Sequence, residues 1–301
     1  MSNRDALLAL AIIFIWGLNF VVIAWGVEGI PPLLLGGIRF LFVAAVGSFF
    51  FKRPNTPLLW WFALAIPISF LQFAFLFSAI SYGMPAGLAS LVLQSQILFT
   101  LIFSFLFLRE NIQAYQIIAI IIAGFGLLLI APINDTATVT ALGFSLTIAG
   151  AVCWAIGNIS TRTIGQKGYD ANVNLVIWSS WIPPIPFFIC SYFIEGSELI
   201  KSSLLNFDLQ SAFALFYLSV VATVMGYGMW SYLLKQYPAA QVAPLTLGVP
   251  IVGLTSSWLL LDEHINHIQW MGILLVIIGL LINTFGKKAI KSLRTLANKR
   301  A

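Results

Sequence analysis

The chain has 301 residues, of which 60% are hydrophobic and 8% charged, and its mean hydropathy is +0.98. A soluble domain carries a charged share nearer ~25%, so these figures exclude one and point to an integral membrane protein. The net charge of +5 would suggest nucleic acid for a soluble chain; its placement along this chain, described below, gives no such partner.

A membrane-crossing helix needs about 20 apolar residues. Ten segments meet that need: 6–25, 32–51, 58–80, 86–108, 114–132, 141–161, 174–194, 209–233, 239–261 and 268–286. The expected fold is all-α integral membrane. The first segment reads as a retained helix, because its apolar run is long and no small-x-small cleavage pattern follows Ala24-Trp25-Gly26. With the N-terminus inside, the inner loops and tails collect Arg4, Lys52, Arg53, Arg109, Arg162, Lys167, Lys235 and the run from Lys287 onward. Lys201 alone falls in an outer loop, and Arg39 alone within a span. The outer segments carry acids such as Glu28, Asp135, Glu195, Asp208 and Glu263. The positive-inside rule then places both termini in the cytoplasm, with ten crossings.

Helix one carries Trp16-Gly17-Leu18-Asn19-Phe20. Helix two begins after Pro31-Pro32 and holds Arg39, roughly 10 Å below the outer surface at helical rise. Burying an arginine there is costly unless it is paired or solvated. It reads equally as an outer-gate or anion-binding residue and as a structural arginine bonded to loop carbonyls. Helix three offers Pro67, Ser69 and Gln72 in mid-span. In helix four, Gly87, Ser90 and Gln94 share one face at spacings of three and four, while Gln96 and Thr100 lie on another. The small, polar stripe favours Gln94 for a cavity and leaves Gln96 to bond a neighbouring helix.

Helix five holds Gly124 and Gly126, and helix ten Gly272 and Gly279. Small residues let helices approach closely, so these read as packing or dimerising helices, and a homodimer through helices five and ten is the assembly they suggest. Helix six contains Trp154 and Asn158. Helix seven carries Pro183, Pro184 and Pro186, which bend a span and free its carbonyls. Helix eight presents Tyr227, Trp230 and Tyr232 beside Gly226 and Gly228. Helix nine, with Pro244, Thr246, Gly248 and Pro250, suits a part that moves. The tail, 287–301, alternates Ile290, Leu293 and Leu296 with basic residues. It reads as an amphipathic helix held by anionic lipid of the inner leaflet. Cys153 and Cys190 both fall inside spans and are expected as free thiols.

The chain repeats itself. A shift of 153, the separation of Glu110 and Glu263, lays Pro85 on Pro238, Leu106 and Leu108 on Leu259 and Leu261, Gln116 on Gln269, and Gly126 on Gly279. Asn19 and Asn158 match at a shift of 139, and the longer outer loop after Glu195 absorbs the difference. The units are 1–136 and 137–286. Each has five helices, an odd number, so the second enters the membrane upside down. Inverted repeats of this kind place substrate near the midplane where the copies meet.

No Asp or Glu lies well inside a span, and the histidines, His264 and His267, sit after helix nine. A proton relay of carboxylates or histidines and a phosphate-cradling Walker loop are both missing. The pairing of His264 and His267 with Asp262 and Glu263 gives no fixed ligand geometry, so neither a metal nor another cofactor is expected. A polytopic membrane enzyme would need acids or histidines at the membrane face, and this cluster is the one candidate; an enzyme is disfavoured.

Ten helices in two inverted units, Trp16-Gly17-Leu18-Asn19-Phe20, Arg39, Pro85-Ala86-Gly87-Leu88-Ala89 and Gly126 together resemble the EamA family of the drug/metabolite transporter superfamily. The resemblance spans essentially the whole chain. It implies efflux of small metabolites, chiefly amino acids and derivatives such as O-acetylserine or cysteine, across a bacterial inner membrane. It also implies a cavity lined by helices one, three, four, six, eight and nine, and so points to Asn19, Gln72, Ser90, Gln94, Asn158, Tyr227, Trp230 and Thr246 as substrate-binding residues. Trp16, Arg39, Trp154, Pro244 and Pro250 are read as gating or structural. Many relatives carry a proline in helix four matching Pro250; Ile97 stands here, which leaves helix four without a proline hinge. A broad exporter of aromatic or cationic compounds is the alternative within transport.

Overall fold

The computed structural model of the chain describes residues 1–131 and 139–298. Asp135, the unit boundary at 136/137, Lys299 and Arg300 lie outside the described residues. The secondary structure is helical, with no strand among the described residues. Its principal helices are α1 (Asn3–Gly29), α2 (Pro32–Phe50), α3 (Leu58–Ser81), α4 (Ala86–Leu108) and α5 (Ala114–Ile130). They continue as α6 (Ala141–Gln166), α7 (Val173–Ser179 with Pro184–Glu195), α8 (Leu209–Gln236), α9 (Ala243–Leu261) and α10 (His267–Asn298). Eight are long and apolar enough to cross a membrane; the two parts of α7, bent by 42°, make a ninth if taken as one span. At 17 residues, α5 is apolar but shorter. The helix expected over the tail is present as the unbroken continuation of α10.

The sequence sets these boundaries through local chemistry. Ser2 accepts from the Asp5 amide at the start of α1, Pro32 begins α2 where its missing N–H is not needed, and Thr140 accepts from the Gly143 amide at 3.0 Å. Two of the starts are built alike. Before α5 the Gln113 amide donates to Gln116 Oε1 at 2.8 Å, and before α10 the Asn266 amide donates to Gln269 Oε1 at 3.0 Å. The preceding ends match as well: Arg109 and Asp262 adopt left-handed φ of 56° and 54°.

Three helices are irregular near their middles and α9 at its start. α3 widens to a π-helix over Ala65–Leu71 and α8 over Tyr217–Met225, while α4 tightens to a 3₁₀ turn at Leu93–Ser95 and α9 begins with one at Ala243–Leu247. Pro67 and Pro244 account for two of these, since each lacks an amide hydrogen. In α8, Thr223 Oγ1 donates to the Leu218 carbonyl at 2.7 Å, so its hydroxyl serves a carbonyl within the widened stretch. The tightened turn in α4 comes without a proline, three residues before Ile97.

α5 and α10 pack against each other within the chain. A Cβ on Gly126 would lie 2.7 Å from the Gly272 carbonyl oxygen and 2.8 Å from the Val276 nitrogen; one on Gly279 would lie 2.8 Å from the Ala119 oxygen and 3.0 Å from the Ala123 nitrogen. Of the glycines in these two helices, Gly126 and Gly272 face each other and Gly279 packs on Ala119 and Ala123, all within a single chain, while Gly124 has nothing within 4 Å of where its Cβ would lie. Elsewhere the packing divides α4 and α9. The first half of α4 lies on the last part of α9, whereas its second half, Gln96–Leu108, lies on α6. The short Ala239–Val242 turn leading into α9 lies on α8.

Candidate functional site

Gln94 and Thr246 lie in irregular stretches, and Gln72 and Tyr227 lie within two residues of one. On α1, the Trp16 indole donates to the Ala222 carbonyl at 3.0 Å, inside the π-helical stretch of α8. Its ring lies 5.5 Å from Tyr227 and 5.4 Å from Trp230 between centroids, tilted by 55° and 52°, within the range aromatic pairs favour. Gly226 makes room, because a Cβ there would stand 2.7 Å from Trp16 Nε1. A pocket of about 280 Å³ is lined by Arg4, Leu8, Gly228, Met229 and Tyr232.

Gln94 sits in the 3₁₀ turn of α4, its Nε2 3.4 Å from the Thr246 carbonyl in the 3₁₀ stretch of α9. Thr246 turns its hydroxyl back to the Ala243 carbonyl at 2.8 Å. Asn158 on α6 donates through Nδ2 to Gln96 Oε1 at 2.7 Å and to Thr100 Oγ1 at 3.1 Å. Gln96 thus bonds a neighbouring helix as expected, and its partner is one of the proposed substrate residues. Asn19 is buried, and its Oδ1 has no hydrogen-bond partner. A buried acceptor left unpaired costs about 1–3 kcal/mol, which makes it a position ready for a donor.

Other candidates stand apart from this group. Ser90 donates to the Gly87 carbonyl at 2.6 Å and packs on Gly253, so it lies in the contact between α4 and α9. Gln72 is buried where α3 meets α6, its carbonyl 3.2 Å from where Gly150 would carry a Cβ. Trp154 packs half-buried on the main core, Pro250 is buried in α9, and Pro244 heads the 3₁₀ stretch. Arg39 is 3% exposed. One of its terminal nitrogens donates to Thr223 Oγ1 at 3.1 Å, and the guanidinium carbon stands 4.1 Å from the Phe73 ring centroid, with Phe40 and Phe77 at 5.4 and 5.6 Å. Aromatic faces, not loop carbonyls, surround it, and a desolvated contact of this kind contributes about 2 kcal/mol.

Two acids of the expected outer segments have a role that the sequence did not show. Glu195 accepts from the Leu33 and Leu34 amides at 2.6 and 3.1 Å, and Glu263 from the Ala86 and Gly87 amides at 2.6 and 2.9 Å. Each carboxylate caps a helix distant in sequence. The available signal was an acid directly following an apolar span. Burial pushes the Glu263 carboxyl above its ordinary value, and the Gly87 and Ala86 amides pull against that shift.

The EamA-like transporter family matches the chain twice, over residues 4–131 and 141–285. The chain belongs to the EamA-like transporter family. This EamA-family chain is 46% identical to the "Probable amino-acid metabolite efflux pump" of Escherichia coli (strain K12), over 97% of its own length and 99% of that protein's. It is 45% identical to the protein of the same name from Salmonella typhimurium, over 98% and 99%. A solved crystal structure superposes with a TM-score of 0.63 at 16% identity, covering 96% of this chain and 99% of that one, a likeness of fold. The chain is a multi-pass membrane protein and a transporter.

Proposed function

We propose that this EamA-family protein exports amino acids and their derivatives, such as O-acetylserine or cysteine, across a bacterial inner membrane by alternating access. The observation that carries this reading is the near full-length identity of 46% to a protein whose name is an amino-acid metabolite efflux pump. Two five-helix units of opposite orientation, residues 1–136 and 137–286, give ten crossings and cytoplasmic termini. Support comes from the double family match and from paired contacts: Gly126 against Gly272 and Val276 repeats, with the roles of the units exchanged, as Gly279 against Ala119 and Ala123. The end bearing Glu263 is then the outer one. There α4 lies on α9, while toward the cytoplasm α4 lies on α6 and the start of helix nine on α8. This is the inward-open state.

In that state Asn19, Gln94 and Asn158 bond the amino-acid head, and Tyr227 and Trp230, braced by Trp16, enclose the side chain. Thr246 and Gln72 border the site, and Ser90 belongs to the outer closure. A neutral site suits a zwitterion, and the spans hold no central carboxylate for a proton, so transport runs as exchange or facilitated efflux. The basic tail holds to anionic lipid. Counterflow in proteoliposomes preloaded with O-acetylserine, at zero potential and zero pH difference, tests this reading. Wild type exchanges, and Asn19→Leu and Gln94→Leu do not. Folded wild-type protein that exchanges neither O-acetylserine nor cysteine would overturn it.

A further inference from the structure

Glu110 and Glu263 occupy equivalent places in the repeat, and the structure gives them different partners. Each follows a left-handed residue, Arg109 at φ 56° or Asp262 at φ 54°. Each amide donates to a serine carbonyl, Glu110 to Ser104 at 3.3 Å and Glu263 to Ser257 at 3.4 Å, and those serines also match at a shift of 153. The main chain therefore presents both carboxylates in the same way.

Glu263 reaches from the end of α9 to the start of α4. Its Oε1 accepts from Ala86 at 2.6 Å and its Oε2 from Gly87 at 2.9 Å. These amides belong to the first turn, which has no acceptor within its own helix, and the helix N-terminus favours a negative charge. A Cβ on Gly87 would stand 3.1 Å from Glu263 Oε2, so the glycine lets the carboxylate close in. The bonds tie the outer ends of α4 and α9 together.

The same shift places Ala239 and Ala240, at the start of the helical run leading into α9, where Ala86 and Gly87 stand in the first unit. It places Glu110 where Glu263 stands. In this state Glu110 is ion-paired with Arg162 at the end of α6. Matching Asn158 to Asn19 puts Arg162 opposite Ile23, so the outer side has no arginine to hold its own glutamate away.

We infer that Glu110 and Glu263 are the alternating latches of the transport cycle. Glu263 on the Ala86 and Gly87 amides holds the outer side shut while Glu110 rests on Arg162; in the opposite state Glu110 caps helix nine at Ala239 and Ala240, and Glu263 lets go. This rests on the inverted, alternating-access reading above. It makes Arg162 a competitor for the inner latch and sets the resting state open to the cytoplasm, where an exporter loads.

The test uses Ser257→Cys, fully buried between α4 and α9, in a chain with Cys153 and Cys190 replaced by alanine. A membrane-impermeant maleimide is applied to spheroplasts. Glu263→Gln raises the labelling rate by about tenfold, equivalent to about 1.4 kcal/mol, and Arg162→Gln raises it as well. Adding Glu110→Gln to Glu263→Gln brings the rate back down, which loosening of the fold cannot do. A double variant labelled as fast as Glu263→Gln or faster overturns the latch pair. Unchanged rates in every variant overturn it too, and leave alternating access to be judged by the counterflow experiment.

Discussion

The contact between Gly253 and Ser90 permits a worked test of how α4 meets α9. A Cβ on Gly253 would collide with Ser90 Oγ and stand 2.7 Å from Ser90 Cβ. The hydroxyl can rotate away, but Ser90 Cβ moves only with the backbone of α4. Overpacking of this kind costs about 1–3 kcal/mol. The alanine returns about 1 kcal/mol of helix propensity, so Gly253→Ala alone is destabilised by up to about 2 kcal/mol. Ser90→Gly alone is also destabilised, through propensity and through its lost 2.6 Å bond to the Gly87 carbonyl. In the double variant the methyl enters the space the serine vacates. A double-mutant cycle cancels both propensities and isolates the clash, with an expected coupling of about 1–3 kcal/mol. Reversible unfolding in mixed micelles measures it. A coupling below about 0.5 kcal/mol, the scatter of independent sites, would show that these two helices do not meet there.

Gly126→Ala should be costlier to relieve, since the methyl meets the Gly272 oxygen at 2.7 Å and the Val276 nitrogen at 2.8 Å, both main chain; a loss of about 1–3 kcal/mol in the same assay is expected, and a stability gain would refute the packing. Asn158→Ala and Gln96→Ala should couple by about 0.6 kcal/mol and no more than about 1.7, the measured range for hydrogen bonds between membrane helices; additive losses would mean that the 2.7 Å bond is not formed. Asp208 caps α8 through the Ser211 amide at 2.8 Å, and its bonds to the Ser211 amide and hydroxyl lower its pKa below the ordinary 3.8. A depressed carboxyl contributes above its unfolded value and loses that contribution as pH falls through the folded one. Protection of the Ser211 amide in hydrogen exchange should therefore drop only below about pH 4, and protection that is lost on raising the pH would reverse the assignment.

The helices were legible because three signals agreed. Apolar runs gave the spans, Pro31-Pro32 gave the start of helix two, and the charged pairs Arg109-Glu110 and Asp262-Glu263 follow the ends of helices four and nine; the caps at Thr140 and Asp208 came only with the structure. The repeat was legible because it is spelled in residues with fixed local roles: Gln113 and Gln116 build the same cap as Asn266 and Gln269. The site was read less completely, and the reason is distance along the chain. Gln96 and Asn158 are 62 residues apart, and Arg39 and Thr223 are 184 apart; no periodicity links them. Thr223 meets Arg39 within a π-helical stretch, and no proline announces that stretch. Ser90 shows another limit: small polar residues on a helix face serve close packing as well as a cavity, and in this structure Ser90 packs on Gly253.

An exchanger must keep two states within reach of one another, and a repeated chain does this by giving every contact at one end a counterpart at the other. What biases the equilibrium is then the set of positions where the units differ. Gly87 lets Glu263 approach the first turn of α4, whereas the sequence has an alanine, Ala240, at the matching position. Arg162 holds Glu110, whereas Ile23 offers Glu263 nothing comparable. Both differences weaken inner closure relative to outer closure. If each contributes about 1 kcal/mol, as single caps do, together they favour the inward-open state by between tenfold and a hundredfold. On the exchange mechanism proposed above, bound substrate supplies that difference through contacts it makes better in the outward-open state, and unloading outside lets the chain return without a driving ion.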